Sequence, residues 1–432
     1  GEVPWLLYWR AVCTQIPDPA AAKDMFIRAY EGLEADGDRK GRFLCAIAIV
    51  ECVLASMEGF RQLDRWILAL ESCLDSLSED DDDSLRVRAW YAFVYAAMCR
   101  MPGHRLIEPG VGWLMDTLRA GRLPRTGDAI TAGVALAMYS CVSAQVAVGE
   151  ELVRVMRDIP SREDAPPVTR WLWCIWLGVY HLWRIEYEAA KAAWEEALAI
   201  AHSTGLDLLN LLPHSMLSLT DLVEDRWETA EWRLSEMRRI SIQGRPLAEA
   251  TYWMTELFLR FYRGQTDSTD QAIERMLEST GRCGIVHMEV ICRTDAAAVL
   301  LLLKKTERAR PLIAEAKALV AGTHVHVADV QIPALEAVMA FHDGEVEAAR
   351  KKLDEALVRE RIIGSCGCLL WIRSGFSALF ADALERGIHL ELIRDLVRRF
   401  EIPPPSRSIS VWPWPIRIRA LGTFGIDFDG AA

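Results

Sequence analysis

Residues 171–202, WLWCIWLGVYHLWRIEYEAAKAAWEEALAIAH, constrain what this chain can fold into more than any other stretch. The first half is apolar nearly all round and is crowded by Trp171, Trp173, Trp176, Tyr180 and Trp183. The second half is amphipathic, with Tyr187, Ala190, Trp194, Ala197 and Leu198 on one face at spacings of three and four. Two helices packed back to back satisfy both patterns. Small residues at Gly178, Ala190 and Ala197 let the backbones approach, and the large rings fill the space beside them. One such pair cannot bury its own apolar surface, so it implies neighbours.

A leucine-glycine pair followed by a spaced alanine, aromatic and alanine is the tetratricopeptide pattern. The small residue that opens the second helix recurs at Ala22, Ala190, Ala230, Ala272, Ala309 and Ala349, with steps of 40, 42, 37 and 40 from Ala190 onward. Ala22 lies 168 residues before Ala190, four steps of 42. The intervening second helices are expected near Leu63, Val111 and Glu151, and a last one near Leu390. The expected fold class is therefore all-α. It is a superhelical α-solenoid of about ten helix pairs with tetratricopeptide-like packing, reaching about Phe400 and followed by a short β-hairpin. A period near 40 is longer than that of tetratricopeptides proper and nearer that of other helical-pair repeats.

A solenoid grows without splitting into domains, so 432 residues do not require several cores. Acids and bases are interspersed and the net charge is −12, which argues against this segment gripping nucleic acid by itself. Of eleven cysteines, Cys13, Cys45, Cys52, Cys99, Cys141 and Cys174 sit singly on apolar helix faces. That usage points to buried, reduced thiols in a cytoplasm. No signal peptide is evident. Ala129 to Gly149 is uncharged for 21 residues, but its Thr131, Ser140, Ser143 and Gln145 suit a closely packed inner helix rather than a membrane span.

No H-E-x-x-H, G-x-S-x-G or G-x-G-x-x-G occurs, and we expect no catalytic constellation. The acidic run Glu79 to Asp83 suits a solvated loop that caps the next helix N-terminus. Cys366-Gly367-Cys368 is too tight for a usual zinc pair, and His324-Val325-His326 reads as a polar turn between repeats, so no metal is expected. Asp221, Glu224 and Glu256 lie on first helices with nothing pairing them in sequence. Arg162 to Pro167 is polar and proline-containing, a plausible internal hinge.

After residue 402 the character changes. Pro403-Pro404-Pro405 cannot enter a helix, and a linker is expected over 403–415. Beyond it, over 416–432, Ile416, Ile418, Phe424, Ile426 and Phe428 alternate with polar residues in a hairpin pattern whose turn falls near Gly422.

A helix-pair array beginning PWLLYWR and running over 1–402, then ending in WPWPIRIRALGTFGI, resembles the sensor region of large bacterial MalT-like transcriptional activators, which are signal-transduction ATPases with numerous domains. The resemblance implies an ATP-binding module before the array and a winged helix of the OmpR type after it, its first hairpin truncated at Ala432. The chain itself has no phosphate loop and no recognition helix, so neither ATP nor DNA binding is placed within it. The resemblance further implies a cytoplasmic regulator whose inducer, bound in the groove, permits self-association and promoter binding.

In arrays of this kind the first helices line the inner groove. Phasing on the leucine-glycine position puts Val179, Leu182 and Trp183 inward, then Leu222, then Met254, Phe258, Phe261 and Tyr262, then Arg293 and Thr294, then Phe341 and His342. From these, Trp183, Met254, Phe258, Tyr262, Arg293, Phe341 and His342 are the expected ligand contacts. Aromatic faces beside hydrogen-bonding tips suit a sugar or a flat metabolite. The alternative is a scaffold that holds a peptide or partner protein in the same groove. A helical-toroid glycosidase would need paired carboxylates at one end and would not end in a proline-rich segment and a hairpin.

Overall fold

A left-handed residue recurs at Ala144, Ile185, Asp225, Gly264, Lys304 and Gly344, in steps of 41, 40, 39, 40 and 40. The computed structural model that shows this describes residues 3–74, 82–123, 125–240, 242–363, 374–407, 409–419 and 425–428. Each of these residues ends a helix in a Schellman motif, in which the next N–H bonds a carbonyl five residues back. Gln145 reaches Ser140, Glu186 His181, Arg226 Asp221, Gln265 Arg260, Lys305 Leu300 and Glu345 Ala340, all at 2.8–3.0 Å. Four residues after each of these N–H donors comes a buried small residue: Gly149, Ala190, Ala230, Thr269, Ala309 and Ala349. The repeat expected from sequence is thus present, with one correction. Thr269, not Ala272, occupies the fourth position, and it fits because its hydroxyl donates to the Thr266 carbonyl at 2.7 Å.

Twenty α-helices are described. They run as consecutive pairs: α1 (Pro4–Thr14) with α2 (Pro19–Ala35), α3 (Arg39–Ser56) with α4 (Leu63–Leu74), α5 (Asp83–Arg100) with α6 (Ile107–Arg119), and α7 (Thr126–Val142) with α8 (Val146–Met156). Then follow α9 (Pro167–Trp183) with α10 (Tyr187–Thr204), α11 (Leu211–Val223) with α12 (Trp227–Arg239), and α13 (Pro246–Tyr262) with α14 (Thr266–Cys283). The last are α15 (Val286–Leu302) with α16 (Thr306–Val320), α17 (Ala328–His342) with α18 (Val346–Ile363), and α19 (Ser377–Glu385) with α20 (Leu390–Arg399). The strands β1 (Ile416–Arg419) and β2 (Gly425–Phe428) pair antiparallel, with Ile418 opposite Ile426. The turn expected near Gly422 lies outside the described residues, as do the start expected for α19, the Cys366–Cys368 pair and Glu79 to Asp81. Asp82 caps α5 as its pattern suggests, accepting from the Ser84 N–H at 3.2 Å.

The pair α9–α10 shows how the sequence closes the packing. A Cβ on Gly178 would fall inside the Trp194 indole, so only glycine fits there. The fully buried indole in turn donates from Nε1 to the Ile175 carbonyl at 3.2 Å. At the equivalent place in α11, Ser218 donates to the Ala230 carbonyl at 3.1 Å. First helices also pack on first helices, with α3 on α5, α5 on α7, α7 on α9, and α11 on α13. Fifteen of the seventeen residues of α7 are buried as a result, and that helix ends at Val142, short of the full uncharged stretch. No described helix is long and apolar enough to cross a membrane.

By packing the chain forms two compact units, residues 1–292 with 318–327 and residues 293–317 with 328–432. The division falls inside α15, while Arg162–Pro167 lies within the first unit. There Thr126 donates to both carboxylate oxygens of Asp164 at 2.8 Å, tying the proline segment to α7. Of the nine described cysteines, all free, Cys45, Cys52, Cys99, Cys141 and Cys174 are buried as expected, whereas Cys13 is exposed.

The carboxylates without sequence partners acquire them here. Asp221, fully buried on α11, accepts from Arg226 at 2.5 Å and from Arg233 at 2.7 Å. Glu256 accepts from Arg260 at 2.7 Å and Arg238 at 3.1 Å. Removing Arg233, itself mostly buried, leaves Asp221 with only the half-exposed Arg226. We expect Arg233→Ala to cost about 2–3 kcal/mol. Denaturant unfolding checks this, and a cost under half a kcal/mol would show that Arg226 alone satisfies the carboxylate.

Candidate functional site

The seven expected ligand contacts are divided between the two compact units. Trp183, Met254, Phe258 and Tyr262 belong to the first unit, and Arg293, Phe341 and His342 to the second. Met254 and Phe258, expected on the groove wall, are core residues at 5% and 1% exposure. They flank Leu257, which holds the position that Gly178 holds in α9 and so faces the second helix of its pair. Trp183 is half-buried at the end of α9, and Tyr262 lies against the Trp227 ring at 5.7 Å. Arg293 pairs with Glu315 at 3.0 Å. His342 Nε2 lies 2.7 Å from Lys304 Nζ, beside the half-buried Phe341. Burial and the Lys304 charge hold His342 below the usual imidazole range.

A different set of residues converges inside the first unit, where the array closes on itself. The C-terminal end of α5 meets the start of α15, almost two hundred residues later, and three rings cross the interior. Trp176 Nε1 on α9 donates to Tyr95 Oη on α5 at 3.2 Å, with ring centroids 6.4 Å apart. Trp176 also meets the His287 ring edge-on at 6.5 Å. The reason His287 sits there lies in α5. The Met98 carbonyl is in the last turn, and the residue four positions on is Pro102, which has no N–H to give it. The His287 ring lies against that backbone group, which counters part of the effect of burial on the imidazole. Its buried Nδ1 has no hydrogen-bond partner, which leaves Nε2 as the nitrogen to carry the proton toward Met98 and Nδ1 as a bare acceptor in the neutral ring.

Burial sets the electrostatics. It pushes His287 down to about 4, and no charged group contributes. Burial likewise pushes the Tyr95 and Tyr91 phenols up, so both stay protonated. Along the same layer Arg88 of α5 forks onto Glu51 of α3 at 3.0–3.3 Å, and Gln15 adds a bond to Glu51 at 3.2 Å. The Glu51 carboxylate, and more weakly the Asp128 charge, raise Arg88. Asp128 is itself buried with one oxygen unpartnered. This interior offers aromatic faces, an acceptor nitrogen and a polar ladder, which is the chemistry of recognition.

The joint that encloses it is made of polar contacts. Arg100 grips Asp64 at 2.6 and 2.8 Å and donates to the Gly284 carbonyl just past α14. Arg61 donates to the Gly281 carbonyl at 3.1 Å, and Arg245 to the Ser56 carbonyl at 2.9 Å. The His324 N–H bonds the Pro102 carbonyl at 2.9 Å, and a Cβ on Gly103 would collide with the Gly322 carbonyl. The His324-Val325-His326 turn is therefore docked on the α5–α6 turn, with His324 Nδ1 3.9 Å from Glu108. Spacing along the chain cannot reveal such contacts. Pro102-Gly103, a helix-ending proline followed by a glycine, is the one sequence sign of them.

A small crevice of about 10 Å³ also lies among α7, α8 and α9, lined by Ser140, Gly149, Trp173 and Tyr180 among others. It is smaller than the roughly 300 Å³ from which metabolite pockets begin. No group of His, Cys, Asp and Glu able to hold a metal occurs among the described residues. Compared with models of known families and with characterised proteins, the chain matches none.

Proposed function

We propose that this chain is the sensing part of a cytoplasmic bacterial transcription activator of the MalT-like kind, without catalytic activity of its own. In this reading a small-molecule inducer, a sugar or a flat metabolite, enters the interior of the first unit. The observation that carries it is the bare Nδ1 of His287, buried beside the Trp176 face and the Tyr95 phenol. A buried acceptor without a donor is costly, and a ligand hydroxyl or N–H in its place recovers that cost. The inducer acts by binding one arrangement of the array better than another, since only differential affinity shifts an equilibrium. Self-association, ATP binding and promoter contact then belong to neighbouring modules of the full regulator, with the hairpin at β1–β2 opening the DNA-binding one.

A thermal-shift screen against sugars, amino acids and aromatic metabolites tests this. A true ligand at a hundred times its Kd adds about 2.7 kcal/mol and gives a saturable shift. We expect Trp176→Ala to abolish that shift. A screen with no saturable shift from any compound overturns the small-molecule reading. The protein-partner reading then takes its place, favoured by the exposed apolar residues Leu6 and Trp9 on α1 and Val3 and Ile16 flanking it.

A further inference from the structure

We propose that the joint closing the first unit is a latch, which opens without unfolding any helix pair and so controls access to the cluster of Tyr95, Trp176 and His287. The proposal rests on the reading of that cluster as the ligand site and adds its regulation. In a solenoid each pair is stabilised by its own packing and its immediate neighbours. The joint is extra to that. It links Arg61 to Gly281 and Arg100 to Gly284, 220 and 184 residues apart, and Arg245 to Ser56, 189 apart.

Its chemistry differs from that of the pairs. In the joint, arginines donate to carbonyls at helix ends, where a cation also meets the negative end of the helix dipole. One backbone rests on another where Gly103 approaches Gly322. Arg61 is mostly solvent-exposed, so water can replace its partner at small cost, whereas separating α9 from α10 would expose the whole Trp194 indole. The weakest seam in the first unit is thus the one that leads to its interior.

Two thiols under the seam report its state. Cys99 near the end of α5 and Cys283 at the end of α14 are both buried, and after burial it is the Cys283 charge that raises Cys99. Burial pushes Cys283 up to about 12, so neither reacts while the joint is shut.

The experiment is maleimide labelling of the native chain, followed peptide by peptide by mass spectrometry, with Cys45 and Cys174 as internal references. Gly103→Ala forces the Gly322 carbonyl away, and Arg61→Gln removes the guanidinium that bonds Gly281 and pairs with Glu289 at 4.0 Å, from a side chain that is mostly solvent-exposed. With opening in rapid equilibrium, labelling follows the open population. Each variant is expected to label Cys99 and Cys283 about tenfold faster, with Cys45 and Cys174 unchanged. Acceleration of all four thiols together, or of none, in both variants overturns the latch. The wild-type ligand screen is independent of this result. A flat screen with selective labelling removes the ligand and keeps the latch, and a positive screen without selective labelling does the reverse.

Discussion

Replacing Trp194 by alanine is expected to cost about 3–5 kcal/mol, the range for deleting a fully buried large aromatic side chain. The indole has no exposed surface, and its loss also leaves the Ile175 carbonyl without the extra donor. The sharper test is a cycle with Gly178. In the native background Gly178→Ala drives a methyl group into the indole and costs about 1–3 kcal/mol. With Trp194 already removed, that clash is gone. The same substitution then gains up to about 1 kcal/mol, because alanine favours a helix interior over glycine. The sign of the effect should therefore reverse between backgrounds, a coupling typical of residues in contact. Urea unfolding measures it, and hydrogen exchange on α9 and α10 places it, since a long array need not unfold in one step. Equal costs of Gly178→Ala in both backgrounds would mean that the glycine serves something other than the indole.

The helix pairs were legible in the sequence because their packing is local. Ala190, Ala230, Ala309 and Ala349 keep a 40-residue rhythm, and each sits four residues after a chain reversal. The reversals themselves were hidden. Only Gly264 and Gly344 of the six left-handed residues are glycines, and Ile185 takes φ 65° despite a branched side chain. The residues that open the second helices are Gln145, Glu186, Arg226, Gln265, Lys305 and Glu345, not the usual Ser, Thr or Asp. Thr269 does not announce its place in the sequence, because a hydroxyl suits a helix core only through a bond such as the one it donates to the Thr266 carbonyl. The candidate site was illegible for a different reason. Inward phasing selected Met254 and Phe258 from within a single helix, yet which face is inward depends on helices far away in sequence. Tyr95, Trp176 and His287 meet only because the array turns far enough to bring α5 to α15, and no local period encodes that.

His287 also gives the molecule a pH dependence with a definite sign. In the unfolded chain its imidazole takes a proton near the ordinary 6.5, while burial in the native state delays this to about 4. Between those values the unfolded chain binds more protons, so stability falls as pH falls, beginning below about 6.5 and complete near 4. The full loss is about 3 kcal/mol for this group. His214, lowered to about 4 by burial and then by Arg233, has a slope of its own, and carboxylates titrate at the acid end. The test is therefore a difference. In His287→Gln an amide replaces the ring and keeps a donor for the Met98 carbonyl, so subtracting the variant's stability from the wild type's isolates one proton. That difference should shrink steadily through the window, and curves that stay parallel would show that the ring is not buried neutral. Protonation of the native ring, which sets in only near pH 4, consumes the bare Nδ1. Any ligand that donates to it should therefore keep its affinity for the folded chain through the window and lose it only as pH falls through about 4, and a ligand that instead binds more tightly there makes its bond elsewhere in the interior.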